Sequence, residues 1–223
     1  MTSMLAINRR CKVKTDLRDK FLTAIKEHQQ STRRNEDNLQ FIIGQDVDDE
    51  NTFYIHEEFT NLSAFQDHLM TSHSAKFDEF MKVHDPLEEA QDMCFYHPRE
   101  EDEHTMTTKR PINKNSFGLN VNLYPKESVR DEFLQVISAN KRGTDETEKL
   151  ALQYTYGESV GVEGMAEGSP NTFHFHEQYI GKNHGKEGFD VHATMPHFAA
   201  WEDFVGTDPF TKNPEVYFFK ILE

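Results

Sequence analysis

A chain of 223 residues with a formal net charge of −15 repels phosphate backbones, which argues against any nucleic-acid role. Its two cysteines, Cys11 and Cys94, make neither a disulfide framework nor a cysteine-type metal site, so a reducing compartment is the default. No run reaches the ~18 apolar residues of a membrane span and the first residues lack a signal-peptide core, so the sequence predicts a soluble, cytoplasmic protein without a membrane partner.

In chain order, Leu5, Ile7, Cys11 and Val13 alternate with polar residues and predict a strand. Leu17, Phe21, Ala24, Ile25 and His28 follow at helical spacing, with Asp16 in the N-cap position and Asp19 near the positive end of the helix dipole. A hairpin comes next: Leu39, Phe41 and Ile43 alternate as far as Gly44, and a turn leads into the strand Asn51 to Phe59. A second helical segment carries Phe65, His68, Leu69, Phe77 and Phe80 on one side, with an interruption at Thr71-Ser72. Met93 to His97 closes the set as a strand.

The whole pattern then returns. Phe117, Leu119, Val121 and Leu123 alternate; Val129, Phe133, Val136 and Ile137 repeat the helical stripe behind Ser128; Leu152, Tyr154, Tyr156 and Gly157 repeat the hairpin. Asn171-Thr-Phe-His-Phe-His-Glu-Gln-Tyr179 keeps five of the nine residues of Asn51 to Phe59. Phe189, His192, His197, Trp201 and Phe204 stand for Phe65, His68, His73, Phe77 and Phe80, and Val216 to Leu222 closes the second set. A period above ~50 residues is too long for a solenoid and means two domains. The boundaries read as 1–97 and 116–223, joined by a charged linker over 98–115.

The order β-α-β-β-α-β is the ferredoxin-like split βαβ. Each such sheet covers one face with its helices and leaves the other needing a partner. The expected fold is therefore α+β: two tandem ferredoxin-like domains pairing sheet to sheet as one intrachain barrel, with room for further homo-oligomers. Two insertions separate the copies. The second hairpin loop is seven residues longer and rich in glycine (161–168), and four residues are added around His184; either could cover a pocket.

The segment Phe53-x-x-x-Glu57-x-Phe59, followed by Ala64-Phe65-x-x-His68-x-x-x-x-His73-x-x-x-Phe77, resembles the antibiotic biosynthesis monooxygenase family of dimeric α/β barrels. Glu177-x-Tyr179 with Phe189, His192 and His197 carries the same signature. The resemblance implies an eight-stranded barrel with an apolar pocket between sheet and helices in each half. It also implies, in some members, oxygenation of quinols or anthrones without metal or flavin. A heme-degrading branch is matched by Ala6-Ile7-Asn8-Arg9, but its iron-ligating histidine falls at Asp78 and Glu202, which are not heme ligands.

Oxygenation without a cofactor needs an apolar cavity, a base for a phenolic proton and donors for the oxyanion. His68 and His192 are the candidate bases, and Asn8 and Asn120 the candidate donors. His73, His197, Glu57, Glu177, Phe77 and Trp201 are candidate substrate contacts. Each has a plainer reading: a packed core histidine, a helix cap, a carboxylate paired with a histidine or arginine, a core aromatic. His174 and His176, two apart on one strand, have ligand spacing with His184 or His192, but Tyr54 replaces His174 in the first copy and no metal is assigned. The function expected is a cofactor-independent monooxygenase of a small aromatic or quinone-like molecule. The alternatives are a non-catalytic binder or stress-response protein, and an atypical heme binder.

Overall fold

The computed structural model describes residues 3–99, 113 and 115–222, so most of the expected linker lies outside the described residues. The first half contains β1 (Leu5–Lys12), α1 (Arg18–Thr32), β2 (Asn38–Asp46), β3 (Thr52–Phe59), α2 (Leu62–Leu69), α3 (Ser72–His84) and β4 (Asp92–Tyr96). The second contains β5 (Phe117–Leu123), α4 (Arg130–Thr147), β6 (Ala151–Glu158), β7 (Phe173–Tyr179), α5 (Lys186–His192), α6 (Pro196–Val205) and β8 (Glu215–Leu222).

The strands form one antiparallel sheet in the order β4-β1-β3-β2-β8-β5-β7-β6, so each half contributes a ferredoxin-like four. Even the register irregularity repeats, between Asn38 and Gln40 in β2 and between Ala151 and Gln153 in β6. The halves meet at two seams. At one, β2 and β8 pair from Ile43↔Leu222 to Asp46↔Phe219. The Phe219 ring lies against Gly44 and Gly118, where an added Cβ would come within 2.1 and 2.2 Å of it, so both neighbouring strands need glycine there. At the other seam the contact is short: Val160 N–H donates to the Phe95 carbonyl (2.9 Å) and Arg99 N–H to that of Tyr156 (3.0 Å). The result is an almost closed barrel.

Side chains alternate between its two faces. The outer face packs on the helices: Phe53 and Ile55 meet Phe21 and Ile25 of α1, and Phe173 and Phe175 meet Phe133 and Ile137 of α4. The inner face carries a polar core. The His56 and His176 rings stack with centroids 3.6 Å apart and planes 1° from parallel. Their Nδ1 atoms bond Asn8 Oδ1 (2.7 Å) and Asn120 Oδ1 (2.8 Å). Asn8 Nδ2 donates across the halves to the Phe175 carbonyl (3.0 Å), and Gln153 Nε2 donates to Glu58 (2.8 Å). Such a network is favourable inside a barrel only when its members are bonded, and it fixes how the halves face each other.

Two local expectations are corrected. Asp16 and Ser128 do not cap α1 and α4: each lies in a 3₁₀ turn (Thr15–Leu17, Glu127–Val129), and neither helix start has a side-chain cap. The long loop of the second half does not close over its own half. Val162 is buried among Leu5, Ile7, Phe65 and Phe95 of the first half, where its apolar side chain leaves water.

Candidate functional site

The second half encloses a cavity of about 270 Å³ between its sheet and helices α4 to α6. Its wall is apolar (Leu119, Val121, Phe175, Phe189, Trp201 and Phe218), with Asn140, Glu177 and His192 as its polar groups. Few polar groups on a large apolar wall is the usual build of a small-molecule pocket.

The break between α5 and α6 sets the polar end. α5 stops at His192, and Pro196, at the first position of α6, starts a new helix without needing a hydrogen bond to its nitrogen. His192 and His197, on either side of the break, both meet Glu148, which follows the last residue of α4. Glu148 Oε1 accepts from His192 Nδ1 at 2.8 Å and from His197 Nε2 at 2.6 Å. Burial works to raise the Glu148 carboxyl, but hydrogen bonds and charge from the two histidines outweigh it and hold it below the ordinary value. Glu148 is therefore a carboxylate that accepts from His192 Nδ1–H, and Nε2 is the His192 ring nitrogen that this bond does not engage. Gly143 on α4 gives His197 its place, since a Cβ there would meet His197 Nδ1 at 2.4 Å.

Two further groups frame the wall. Glu177 is buried and accepts from the Tyr179 hydroxyl (2.6 Å); burial pushes its carboxyl upward. Asn140 Nδ2 donates to the Tyr154 hydroxyl (3.1 Å), whose pKa is driven far up by burial and by Glu177, so that phenol keeps its proton.

The first half fills the matching space. Arg9 stands where the second half has Val121, and it places a guanidinium nitrogen 2.9 Å from the buried Glu57. Burial raises the Glu57 carboxyl, and Arg9 opposes that shift. His28 stands where the second half has Asn140, and its ring stacks on Phe77 (centroids 5.0 Å, 15°). His28, His68 and His73 lie ring to ring, with centroids 5.2 to 5.5 Å apart. Burial lowers all three, His28 to about 3 and His68 to about 4, and the neighbouring rings and Arg9 push the same way on those two.

The candidate residues thus separate. His192, Glu177 and Trp201 line the cavity, whereas His197 is linked to it only through Glu148 and then His192. His68, His73, Glu57 and Phe77 belong to the filled first half. Asn8 and Asn120 point into the barrel, on the face opposite His68 and His192, so they do not serve as oxyanion donors to those histidines. His174 and His176 share that inner face and are held by Asn122 and Asn120, away from His192 on its helix and from the exposed His184. Asp78 and Glu202 are exposed, which leaves the heme reading without an iron ligand. Glu148 was not legible beforehand: it ends the charged run Thr144-Asp-Glu-Thr-Glu148, which looks like a solvated helix end. His28 showed only as one member of a helical stripe.

Among the described residues, two groups of side chains have metal-ligating atoms within 4.8 Å of one another: Glu148, His192 and His197, and His28, His68 and His73. In the first group the carboxylate already satisfies both imidazoles at hydrogen-bond distance.

Two ferredoxin-like units sharing an almost closed eight-stranded sheet, with a pocket under the helices, define a dimeric-barrel protein folded from one chain. Residues 4–79, within the first half, match the model of the antibiotic biosynthesis monooxygenase family. Two solved proteins described as putative monooxygenases are similar over their whole length. One, from Lactobacillus acidophilus NCFM, has a TM-score of 0.74 at 17% identity and covers 98% of this chain and 94% of its own. The other, from Fusobacterium nucleatum, has a TM-score of 0.80 at 16% identity and covers 100% and 94%. An anthrone oxidase-like protein aligns over 100% of this chain and 92% of its own, with a TM-score of 0.63 at 8% identity. At such low identities, the structural likeness establishes the shared fold alone. No curated protein matches the chain. Among the described residues, no helix is long and apolar enough to cross a membrane.

Proposed function

We propose that the second half is the reacting half of a monooxygenase that needs no cofactor and acts on a small phenol with an adjacent activated carbon, of the anthrone or quinol type. The observation that carries this reading is His192: an imidazole on the wall of an apolar cavity, with its Nδ1–H held 2.8 Å from the Glu148 carboxylate. His192 Nε2 takes the phenolic proton, and Glu148 steadies the imidazolium that forms. The electron-rich anion then reduces O₂ directly. With an anthrone-type substrate, one oxygen atom replaces the two hydrogens of the activated CH₂ as a carbonyl and the other leaves as water with those two hydrogens; the substrate supplies all four electrons that O₂ takes up, and His192 returns its proton to the product phenolate. The aromatic wall, with Phe175, Phe189 and Trp201, holds the flat ring, and the dry interior strengthens the His192–Glu148 pair. Asn8 and Asn120 have no part in this reading; they lock the barrel interior.

The test is O₂ uptake by full-length protein stripped of metal and flavin, across a panel of anthrones and quinols, with labelled O₂ traced into product. One O₂ consumed per carbonyl formed is expected, with Trp201 fluorescence quenched on binding. Absence of turnover across the panel would defeat it, and ligands that quench Trp201 without being consumed would favour a binding protein instead.

A further inference from the structure

We propose that the first half binds one divalent transition-metal ion through His28, His68 and His73. The three residues come from three helices, α1, α2 and α3, and each offers a ring nitrogen within 4.8 Å of the other two. His28 is 5% and His68 1% exposed, and the Nδ1 atoms of both are buried without a hydrogen-bond partner. Ring nitrogens left unsatisfied in a dry interior are costly, and a cation accepting their lone pairs removes that cost. Imidazole donors suit zinc, copper, nickel and cobalt, and three of them leave a further position open.

The second half acts as an internal control. There Asn140 replaces His28, and the two remaining histidines spend their facing nitrogens on Glu148 at 2.8 and 2.6 Å. Among the described residues of the first half, the matching group holds a third imidazole, His28, in place of a carboxylate. Zn–N bonds of ~2.0–2.1 Å set tetrahedral ligand atoms about 3.4 Å apart, so from separations within 4.8 Å the rings close by at most about 1.4 Å on binding. An adjoining cavity of about 100 Å³, lined by His28, His73, Phe77 and Glu27, supplies an entry path. Its volume exceeds the ~30 Å³ share of one liquid water, so water completes the coordination shell. Arg9, the nearby positive charge, is offset by Glu57 at 2.9 Å.

The experiment is a Zn²⁺ titration of chelator-treated full-length protein against a chromophoric chelator, repeated with Co²⁺ and read by its visible absorption. The expected result is one ion per chain, with Co²⁺ showing the intense bands of a low-coordinate nitrogen site. His28→Asn, which installs the second half's residue, weakens Zn²⁺ binding by about 100-fold or more, since even outer-shell changes cost 10–100-fold. His73→Gln, at a half-buried position that tolerates the change, does the same while the metal-free protein melts as the wild type does. Glu148→Gln leaves the stoichiometry at one. No binding by the wild type, unchanged affinity in both histidine variants, or loss of the ion in Glu148→Gln would each overturn the proposal. O₂ uptake by the metal-free protein reports on the second-half reaction separately, so either reading can fail without the other.

Discussion

The two halves share strand order, register irregularity and the broken helix, yet they use the space under the helices in opposite ways. In the second half Val121, Asn140 and Trp201 leave about 270 Å³ open beside His192. In the first half Arg9, His28 and Phe77 occupy the same positions, and a buried ion pair and a histidine cluster take up the room. The long loop of the second half adds to the difference by seating Val162 on the first half's core. With two copies in one chain the pockets need not be alike: one holds a cavity, and the other holds an ion pair and a histidine cluster in the same place.

The largest expected effect separates the halves by activity. His192→Ala should lower kcat by about 10²- to 10⁴-fold, the range for losing a general base, whereas His68→Ala should cost folding stability. Equal losses of turnover from both would erase the distinction. Next, Arg9→Val gives the first half the second half's residue and strands Glu57 without its cation. That should cost about 3–5 kcal/mol in urea denaturation, because the buried charge loses its partner. The reciprocal Val121→Arg should fill the cavity and abolish ligand quenching of Trp201.

A third contrast is in pH. His174, where the first half has Tyr54, is pushed down to about 4 by burial, with Glu215 opposing. Its folded pKa lies below the unfolded value, so the unfolded chain binds the extra proton and stability falls as pH drops from ~6.5 toward 4, by about 3 kcal/mol in all. His174→Tyr should flatten that part of the stability–pH curve, and an unchanged slope would place the titration elsewhere. The smallest effect is that of Gly143→Ala. The added Cβ meets His197, so the Glu148–His197 contact should open and kcat fall by about ten-fold or less. Thermal stability should barely move, because alanine's better helix propensity, worth ~1 kcal/mol, offsets the crowding.

Much of this was legible along the chain, for a physical reason. Strand and helix periodicities are local, so Leu5 to Val13 and Phe117 to Leu123 announce strands whatever they pair with. The repeat at Asn51 to Phe59 and Asn171 to Tyr179 then announces two copies. His192 was legible as a polar residue one turn from the core Phe189. Which face a strand residue presents relative to a distant helix is not local, and so nothing along the chain separates Asn8 and Asn120 from the histidines that lie across the sheet from them.

What the sequence determined by itself is the presence of two ferredoxin-like units, because each copy has helices for only one face of its sheet and leaves the other face for its twin to cover. Only the tertiary structure decided which unit is hollow. That choice rests on the volumes of Arg9 against Val121 and His28 against Asn140, and on Glu148, which the longer α4 delivers to His192 from 44 residues away in the chain. Long-range packing brings these groups together, and no periodicity records it.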